Sequence, residues 1–247
     1  MILLPGIVLP AEPAYGDLIA ALGSDFEAVA KDLEVYGAPE PPDDYGLELE
    51  VKGVLREVDG RGWDRFHLVG YSGGGAAALA FAAAQPKRLA SLALLDPAWA
   101  GTWDLSPAEQ AAWVELDRIA GLPDDQLMPG FVRSGLRPGV PVPSPPPGDL
   151  PPWMATRPAG IRAILRAFRR GSIDREALAA FDRPVYLALG ALSNPDQYAE
   201  IARRLGGVFT SFELEVFEER HHFDPPHRAE PERLTRSLES LWRSAQA

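Results

Sequence analysis

One segment, FHLVGYSGGG at residues 66–75, constrains the fold of this chain more than any other. Its apolar first half is typical of a buried β-strand, and the small residues from Ala76 to Ala84 are typical of a helix that ends before Pro86. Between strand and helix lies Gly-x-Ser-x-Gly, which we call the serine turn (residues 70–74). Its glycines are needed because a Cβ beside Ser72 would clash with the crossing strand and helix.

Ser72 is therefore a candidate nucleophile, since a sharp turn of this kind points the serine hydroxyl away from the sheet. The helix that follows offers free N–H groups and the positive end of its dipole at the place where an oxyanion would form. A bare Gly-x-Ser-x-Gly is common by chance and could be only a glycine-rich turn. The apolar strand before it and the alanine-rich helix after it favour the catalytic interpretation.

Length, composition and charge limit the classes of function. The chain has 247 residues, 46% hydrophobic and 24% charged, which is ordinary for a globular protein with a substantial core. It has no cysteine, so disulfides, thiolate metal sites and a cysteine nucleophile are excluded. A formal net charge of −11 disfavours nucleic acid and anionic membranes as partners, and we expect a small-molecule substrate. The sequence shows no signal peptide and no transmembrane run, so a cytoplasmic location is expected.

Apolar runs that alternate with helical patterns predict an α/β fold, with a mostly parallel central sheet flanked by helices. A different composition interrupts this pattern, because four tryptophans, several helical patches and an extended loop rich in proline and glycine (138–152) occur together. The strand pattern then resumes. We therefore expect residues 1–98 and 183–247 to form one core, and residues 99–182 to form an inserted helical lid.

A serine hydroxyl needs a base to accept its proton, and histidine is the usual one. Of the four histidines, His67 lies inside the strand before the serine turn, where a structural role is favoured. His221, His222 and His227 lie between the last predicted strand and the last predicted helix, in what we call the histidine loop (residues 220–231). Loops that follow parallel strands gather at one edge of the sheet, so a histidine in this loop can reach Ser72.

The histidine loop could instead bind a metal ion or form only a solvated turn. Neighbouring His221 and His222 rarely point at one ion, and no matching carboxylate spacing appears elsewhere in the sequence. The catalytic interpretation is therefore favoured, and it requires no metal and no organic cofactor.

With this serine turn and this late histidine, the chain resembles the α/β-hydrolase superfamily. Members of that family carry the histidine before an aromatic or apolar residue, ahead of a Glu-x-Pro-like helix start. His222-Phe223, followed by Glu230-Pro231, is similar to that form with a slightly longer loop. The resemblance implies that His222 is the base, with His221 as the alternative.

The resemblance assigns the oxyanion hole to two backbone N–H groups. One belongs to Gly73, the residue after the nucleophile. The other lies in the turn after the first core strand, where LPGI at residues 4–7 places Ile7. The chain departs from the family at Pro5, which replaces a frequent histidine that braces this loop. Because the backbone carries the function, the resemblance still implies this role for Ile7.

Two positions compete for the acid that holds the histidine. Many family members carry it in a turn after the next-to-last strand, where this chain has Ser193 and Asn194, neither of which can hold a charge. Other members carry it directly after the strand that follows the serine helix, which is Asp96 here. The resemblance implies Asp96, while Asp196, Asn194 or no acid at all remain as alternatives.

The tryptophans of the inserted segment suggest where a substrate would bind. Trp99 and Trp103, together with Tyr71 beside the nucleophile, are candidate substrate-binding residues, and Phe131 and Trp153 are further candidates for the wall of an apolar acyl or aryl pocket. The alternative is that each tryptophan only packs the lid onto the core.

Together these residues imply a serine hydrolase that cleaves small esters or related acyl compounds through a Ser-His-Asp triad and an acyl-enzyme. The same triad could act on lactones, thioesters or C–C bonds. Relatives that open epoxides or remove halogens need aspartate at position 72 and are disfavoured. A non-catalytic ligand-binding member of the fold is the alternative from another class, suggested by Pro5 and by the missing acid in the usual turn.

Overall fold

Six parallel strands form one sheet in the computed structural model, which describes residues 1–144 and 148–245. The spatial order of the strands is β2-β1-β3-β4-β5-β6. Their bounds are Ile2–Leu4 (β1), Val29–Ala30 (β2), Phe66–Tyr71 (β3), Leu89–Leu95 (β4), Val185–Gly190 (β5) and Phe212–Phe217 (β6). The fold is therefore α/β with a parallel central sheet, as the alternating pattern predicted.

Helices join and cover these strands. Those within the described residues are Ala11–Leu22 (α1), Leu47–Gly60 (α2), Gly73–Ala84 (α3), Pro107–Ala120 (α4), Asp124–Ser134 (α5), Arg157–Arg170 (α6), Arg175–Ala179 (α7), Glu200–Gly206 (α8), Pro226–Ala229 (α9) and Pro231–Ser244 (α10). Two further helical turns matter below, a 3₁₀ turn at Pro152–Thr156 and a π-helical turn at Pro195–Ala199.

Both faces of the sheet are buried, which explains the unbroken apolar runs in its central strands. Leu94 of β4 points into a core layer shared with α2, α3 and α6, whereas its neighbour Leu95 points into a layer shared with α1 and α10. Successive side chains of a strand point to opposite faces, so a strand covered on both sides is apolar at most of its positions.

The edge strand β2 is shorter than the sequence suggests. The sequence pattern at residues 26–30 predicts a strand, whereas only Val29–Ala30 pair with β1. Phe26 instead packs its ring against Trp242 of α10, with the ring centroids 4.7 Å apart. Its apolar character therefore reflects contact with a helix rather than pairing in the sheet.

The residues predicted to form an inserted lid (99–182, the inserted segment) carry α4 to α7, and they share the core of the sheet rather than building their own. Trp113 and Phe168 belong to the same buried cluster as Leu92 and Leu94 of β4. A buried ion pair between Glu109 of α4 and Arg204 of α8, at 2.6 Å, joins the segment to the core helices. The extended loop predicted at 138–152 lies partly outside the described residues, at 145–147.

Candidate active site

Ser72 occupies a strained backbone position between β3 and α3. Its φ of 54° and ψ of −119° lie in a region that residues other than glycine rarely adopt. The amide N–H of Ser72 donates to the carbonyl of Leu95 at 3.0 Å, and its carbonyl accepts from the N–H of Ala98 at 2.9 Å. A Cβ at Gly74 would lie well under 3.0 Å from the carbonyl oxygens of the neighbouring loop, so the crossing at the serine turn requires glycine there.

His222 meets Ser72 from the histidine loop. Its Nε2 lies 2.9 Å from Oγ of Ser72, and both side chains are buried. The imidazole lies between two tyrosine rings, stacked on Tyr198 with centroids 4.3 Å apart and tilted against Tyr71 at 5.1 Å. The Tyr71 hydroxyl also donates to the carbonyl of His222. Burial holds the pKa of both tyrosines well above the ordinary value, so they remain neutral.

Asp96 stands behind His222, at the first position after β4. It has a positive φ of 42°, and it is buried. Its Oδ1 accepts from the N–H of Gly190 at 3.0 Å, and its Oδ2 accepts from the hydroxyl of Ser193 at 2.7 Å. The same Oδ2 lies 3.6 Å from Nδ1 of His222, slightly beyond hydrogen-bond distance. Such contacts are often long in ligand-free enzymes and tighten when substrate binds.

The alternative candidates for the acid and for the base make other contacts. Asp196 is exposed, and its N–H donates to Oδ1 of Asn194 at 3.1 Å. The Asn194 side chain donates in turn to a backbone carbonyl of the inserted segment at 2.8 Å. His221 is half-buried, and its Nδ1 accepts from the N–H of Phe223 at 3.1 Å. The structure thus brings together Ser72 and His222 with Asp96, and leaves the other candidates in loop contacts.

The two predicted oxyanion donors lie side by side. Gly73 is the first residue of α3, and a Cβ built on it would lie well under 3.0 Å from the Ile7 side chain. Ile7 belongs to the loop after β1, which we call the oxyanion loop (residues 5–8). The N–H of Gly74 donates to the carbonyl of Pro5 at 3.0 Å and holds this loop against the serine turn. In residues 1–144 and 148–245, the N–H groups of Gly73 and Ile7 have no hydrogen-bond acceptor.

A cavity of about 270 Å³ opens at Ser72 and His222. The oxyanion loop, the histidine loop and the inserted segment form its walls. The apolar side chains that line it include Val8, Leu9, Phe131, Trp153, Met154 and Phe223. Arg228 is the only charged residue among the described residues that border it. Size and lining suit a small apolar group.

The structure corrects the expectation that Trp99 and Trp103 contact the substrate, because neither borders this cavity. Trp99 is only 2% exposed, and it stacks on Phe168 with ring centroids 5.2 Å apart. Trp103 lies against the guanidinium of Arg204, 4.5 Å from its ring centroid. Both rings bury a large apolar area by packing the inserted segment onto the core. Tyr71, Phe131 and Trp153 do line the cavity.

His227 and His67 have surroundings that suit a structural role. The imidazole of His227 packs between Tyr15 and Tyr71, and its two nitrogens have no hydrogen-bond partner among the described residues. Burial lowers the pKa of His227 to about 3. His67 contacts Oγ of Ser91 through Nδ1 at 2.8 Å, and burial lowers its pKa to about 4. Both rings are therefore neutral at pH 7.

Sequence reasoning missed Tyr198 as a site residue, and it considered Ser193 only as a position without a charge. Tyr198 lies in the π-helical turn Pro195–Ala199, an irregular element that no apolar periodicity reveals. For Ser193, its place in the turn where relatives carry an acid was the available signal, because that turn must lie beside the histidine.

No helix in residues 1–144 and 148–245 combines the length and the apolar character that crossing a bilayer requires. Within the same residues, no group of three or more histidine, aspartate or glutamate side chains is arranged to hold a metal ion.

Comparison with known proteins identifies the family. A family model described as "Alpha/beta hydrolase family" matches residues 1–236. No curated protein matches the sequence at a significant level. Among solved structures, a carboxylesterase from Bacillus subtilis is 18% identical and superposes with a TM-score of 0.65, covering 97% of this chain and 82% of that one.

Two further structures share the fold at similarly low identity. A thermophilic esterase from Thermogutta terrifontis is 18% identical, with a TM-score of 0.68 over 100% of this chain and 90% of that chain. A meta-cleavage product hydrolase from Pseudomonas fluorescens is 17% identical, with a TM-score of 0.63 over 99% of this chain and 90% of that chain. The chain therefore belongs to the alpha/beta hydrolase family and is a hydrolase.

Proposed function

We propose that this protein is a serine hydrolase that cleaves small esters or related acyl compounds through an acyl-enzyme. The observation that carries the proposal is the 2.9 Å contact between Oγ of Ser72 and Nε2 of His222, at the floor of an apolar cavity. A serine hydroxyl is a weak nucleophile at neutral pH, and a histidine at this distance can accept its proton during attack.

The reaction has two halves. Oγ of Ser72 attacks the acyl carbon while its proton passes to Nε2 of His222, and a tetrahedral oxyanion forms. The oxyanion collapses, the bond to the leaving alcohol breaks, and His222 gives the proton to that alcohol. A water molecule then attacks the acyl-enzyme, His222 accepts its proton, and the acid is released as Ser72 regains its hydrogen.

Asp96 acts on the histidine rather than on the substrate. Once His222 is protonated, a carboxylate near its Nδ1 stabilises the positive charge and fixes the orientation of the ring. The hydrogen bonds from Gly190 and Ser193 hold this carboxylate in place. A small rotation would shorten the 3.6 Å separation to a charge-assisted hydrogen bond as the imidazolium forms.

The N–H groups of Gly73 and Ile7 bind the oxyanion. Preorganised donors of this kind act in a site that excludes water. Removing one such donor typically lowers kcat by roughly 10²–10³-fold. Their position beside Ser72, and the lack of any other acceptor for them within the described residues, support this role.

The inserted segment (residues 99–182) acts as a lid over the acyl group. Phe131, Trp153 and Met154 from this segment face the oxyanion loop across the cavity. A volume of about 270 Å³ lies at the lower end for ligand pockets, which favours short acyl chains over long ones.

The test is a substrate series with matched variants. We expect p-nitrophenyl acetate and butyrate to be hydrolysed with a higher kcat/KM than p-nitrophenyl octanoate, and we expect Ser72→Ala to lower kcat by at least about 10⁴-fold. Ser91→Ala is the control, because Ser91 is a buried serine on β4 whose hydroxyl bonds to Nδ1 of His67, outside the cavity. A series that includes a lactone and a thioester separates the related acyl chemistries. Full activity in Ser72→Ala would contradict the proposal.

A further inference from the structure

Two side chains far from the reacting atoms hold the oxyanion loop. The hydroxyl of Tyr36 donates to the carbonyl of Ile7 at 2.6 Å, and Nε of Arg157 donates to the carbonyl of Val8, also at 2.6 Å. Two consecutive peptide groups are thus fixed directly after the Ile7 N–H. Tyr36 comes from the segment between β2 and α2, whereas Arg157 is the first residue of α6 in the inserted segment.

Arg157 is a charged residue in a buried position. It is only 3% exposed, and it forms no ion pair with a carboxylate in residues 1–144 or 148–245. The guanidinium donates hydrogen bonds to the Val8 carbonyl and, at 3.2 Å, to the Thr156 hydroxyl. It also lies over the ring faces of Tyr36 and Trp153, 3.9 and 4.9 Å from their centroids. The Asp32 carboxylate attracts the guanidinium only at longer range. Burying a guanidinium without a direct ion pair costs free energy, so its position here calls for a functional reason.

Helix α6 lies close against the ring of Tyr36. Gly160, one turn into α6, faces the Tyr36 ring so closely that a Cβ there would lie well under 3.0 Å from Cε1 and from the hydroxyl oxygen. Only glycine allows α6 to approach Tyr36 at this distance. The helix of the inserted segment and the hydroxyl that holds Ile7 are therefore mechanically linked.

Arg157 also connects the oxyanion loop to the wall of the substrate cavity. Trp153, which lies against its guanidinium, lines the same cavity as Ser72. The contacts run from the cavity wall at Trp153, through Arg157, to the carbonyl of Val8 in the oxyanion loop. Arg157 therefore contacts both the wall of the cavity and the oxyanion loop.

We propose that Tyr36 and Arg157 are positioning residues that set the Ile7 N–H in the oxyanion hole. This inference rests on the proposed function. An oxyanion donor helps only when it sits at hydrogen-bond distance from the developing charge, and a displacement of about 1 Å can cost roughly 10²-fold in rate. Neither residue touches the reacting atoms, so each acts through the backbone of the oxyanion loop.

The competing explanation is that the two residues only fasten the inserted segment to the core. The two explanations differ in the kinetic constant that they affect. Loss of an oxyanion donor weakens transition-state binding and lowers kcat with little change in KM, whereas loss of anchoring alone lowers thermal stability. Butaneboronic acid supplies a second readout, because it forms a tetrahedral adduct with an active serine and places an oxygen in the oxyanion hole.

The first experiment compares Tyr36→Phe and Arg157→Met with wild type on p-nitrophenyl butyrate. We expect kcat to fall about 10–100-fold with KM within about twofold, and the affinity for butaneboronic acid to weaken by a similar factor. Tyr186→Phe is the matched control, because Tyr186 is a buried tyrosine of β5 whose hydroxyl donates to Glu215 at 2.6 Å outside the cavity. It should lose thermal stability but keep kcat within about twofold.

The second experiment tests whether displacement of the Tyr36 ring, rather than a general loss of stability, lowers kcat. Gly160→Ala should lower kcat in the wild-type background, because the new methyl group displaces Tyr36, although alanine favours helices over glycine. In a Tyr36→Ala background the ring is absent, so Gly160→Ala should lower kcat no further.

The outcomes distinguish the two proposals. An active wild type whose Tyr36→Phe and Arg157→Met variants keep the kcat and boronate affinity of Tyr186→Phe overturns this inference alone. An inactive wild type, with no boronate binding, overturns the proposed function and this inference with it.

Discussion

The hydroxyl of Ser193 donates to Oδ2 of Asp96 at 2.7 Å, and this carboxylate oxygen is the one that faces Nδ1 of His222. Ser193 stands in the turn after β5 where many members of the family carry their acid, whereas Asp96 follows β4. Two positions nearly a hundred residues apart in sequence thus converge on one point behind the imidazole. In this chain the carboxylate is at position 96, and position 193 has a hydroxyl group.

If Asp96 orients His222, then Asp96→Asn should lower kcat by up to about 10⁴-fold, because an amide cannot balance the charge of the imidazolium. KM should change little. Asp196→Asn is the control, since Asp196 is exposed and makes no contact with His222, and it should change kcat less than about tenfold. Steady-state kinetics on a short-chain ester give both values, and the reverse order of effects would point to Asp196.

The convergence of Ser193 and Asp96 also predicts that the acid can be moved. In the Asp96→Asn, Ser193→Asp double variant, a carboxylate at position 193 would lie within reach of the imidazole, and we expect kcat to recover at least about tenfold over Asp96→Asn alone. Ser193→Asp by itself should not raise activity, because two adjacent buried carboxylates repel each other. A double variant no more active than Asp96→Asn would show that position 193 cannot serve the histidine.

Because Gly73 and Ile7 are in close contact, a larger side chain at one position should be compensated by a smaller one at the other. Gly73→Ala should lower kcat about 10–100-fold, because its methyl group would push Ile7 and its N–H away from the oxyanion. Ile7→Ala should be nearly neutral for kcat, since only its backbone N–H binds. Combining the two frees the space again and should restore most of the rate. Additive losses in the double variant would argue against a donor role for Ile7.

Buried neutral histidines predict a loss of stability in mild acid. His227 has a folded-state pKa of about 3 against 6.5 for a free histidine, so between these values the unfolded chain binds a proton that the folded chain does not. The stabilising effect is full above pH 6.5 and declines as pH falls, by about 1.4 kcal/mol per pH unit.

Urea denaturation at pH 7 and pH 5 tests this. In His227→Phe, which keeps the ring contacts with Tyr15 and Tyr71, the free energy of unfolding should fall between these two pH values by about 2 kcal/mol less than in wild type. His221→Gln, at a half-buried position, should alter the pH dependence less. An unchanged pH dependence in His227→Phe would mean that His227 does not resist protonation.

Much of the fold could be predicted from sequence because its signals are local. The run at 92–95 and the small residues after Ser72 each determine an element through their own side chains, and the structure has β4 and α3 there. The α/β class follows from the order of such elements along the chain. The edge strand β2 was overestimated because Phe26 owes its apolar character to Trp242, a contact that local pattern does not reveal.

The candidate site is less accessible to sequence reasoning, because it depends on contacts between distant residues. The choice among three histidines and between two aspartates needed a family resemblance, and no periodicity marks Tyr36 or Arg157. Trp99 and Trp103 illustrate how sequence alone can misplace a substrate-binding residue. A tryptophan next to a catalytic candidate suggests a pocket wall, yet the stacking of Trp99 on Phe168 shows that its ring fills the core instead.

The most direct measurement is the mass of the intact protein after treatment with a fluorophosphonate probe, followed by peptide mapping of the modified residue. We expect one adduct on Ser72 in the wild type, no adduct in Ser72→Ala, and slow labelling in His222→Ala, because the hydroxyl needs its base. An unlabelled wild type, or a probe attached to a serine other than Ser72, would contradict it.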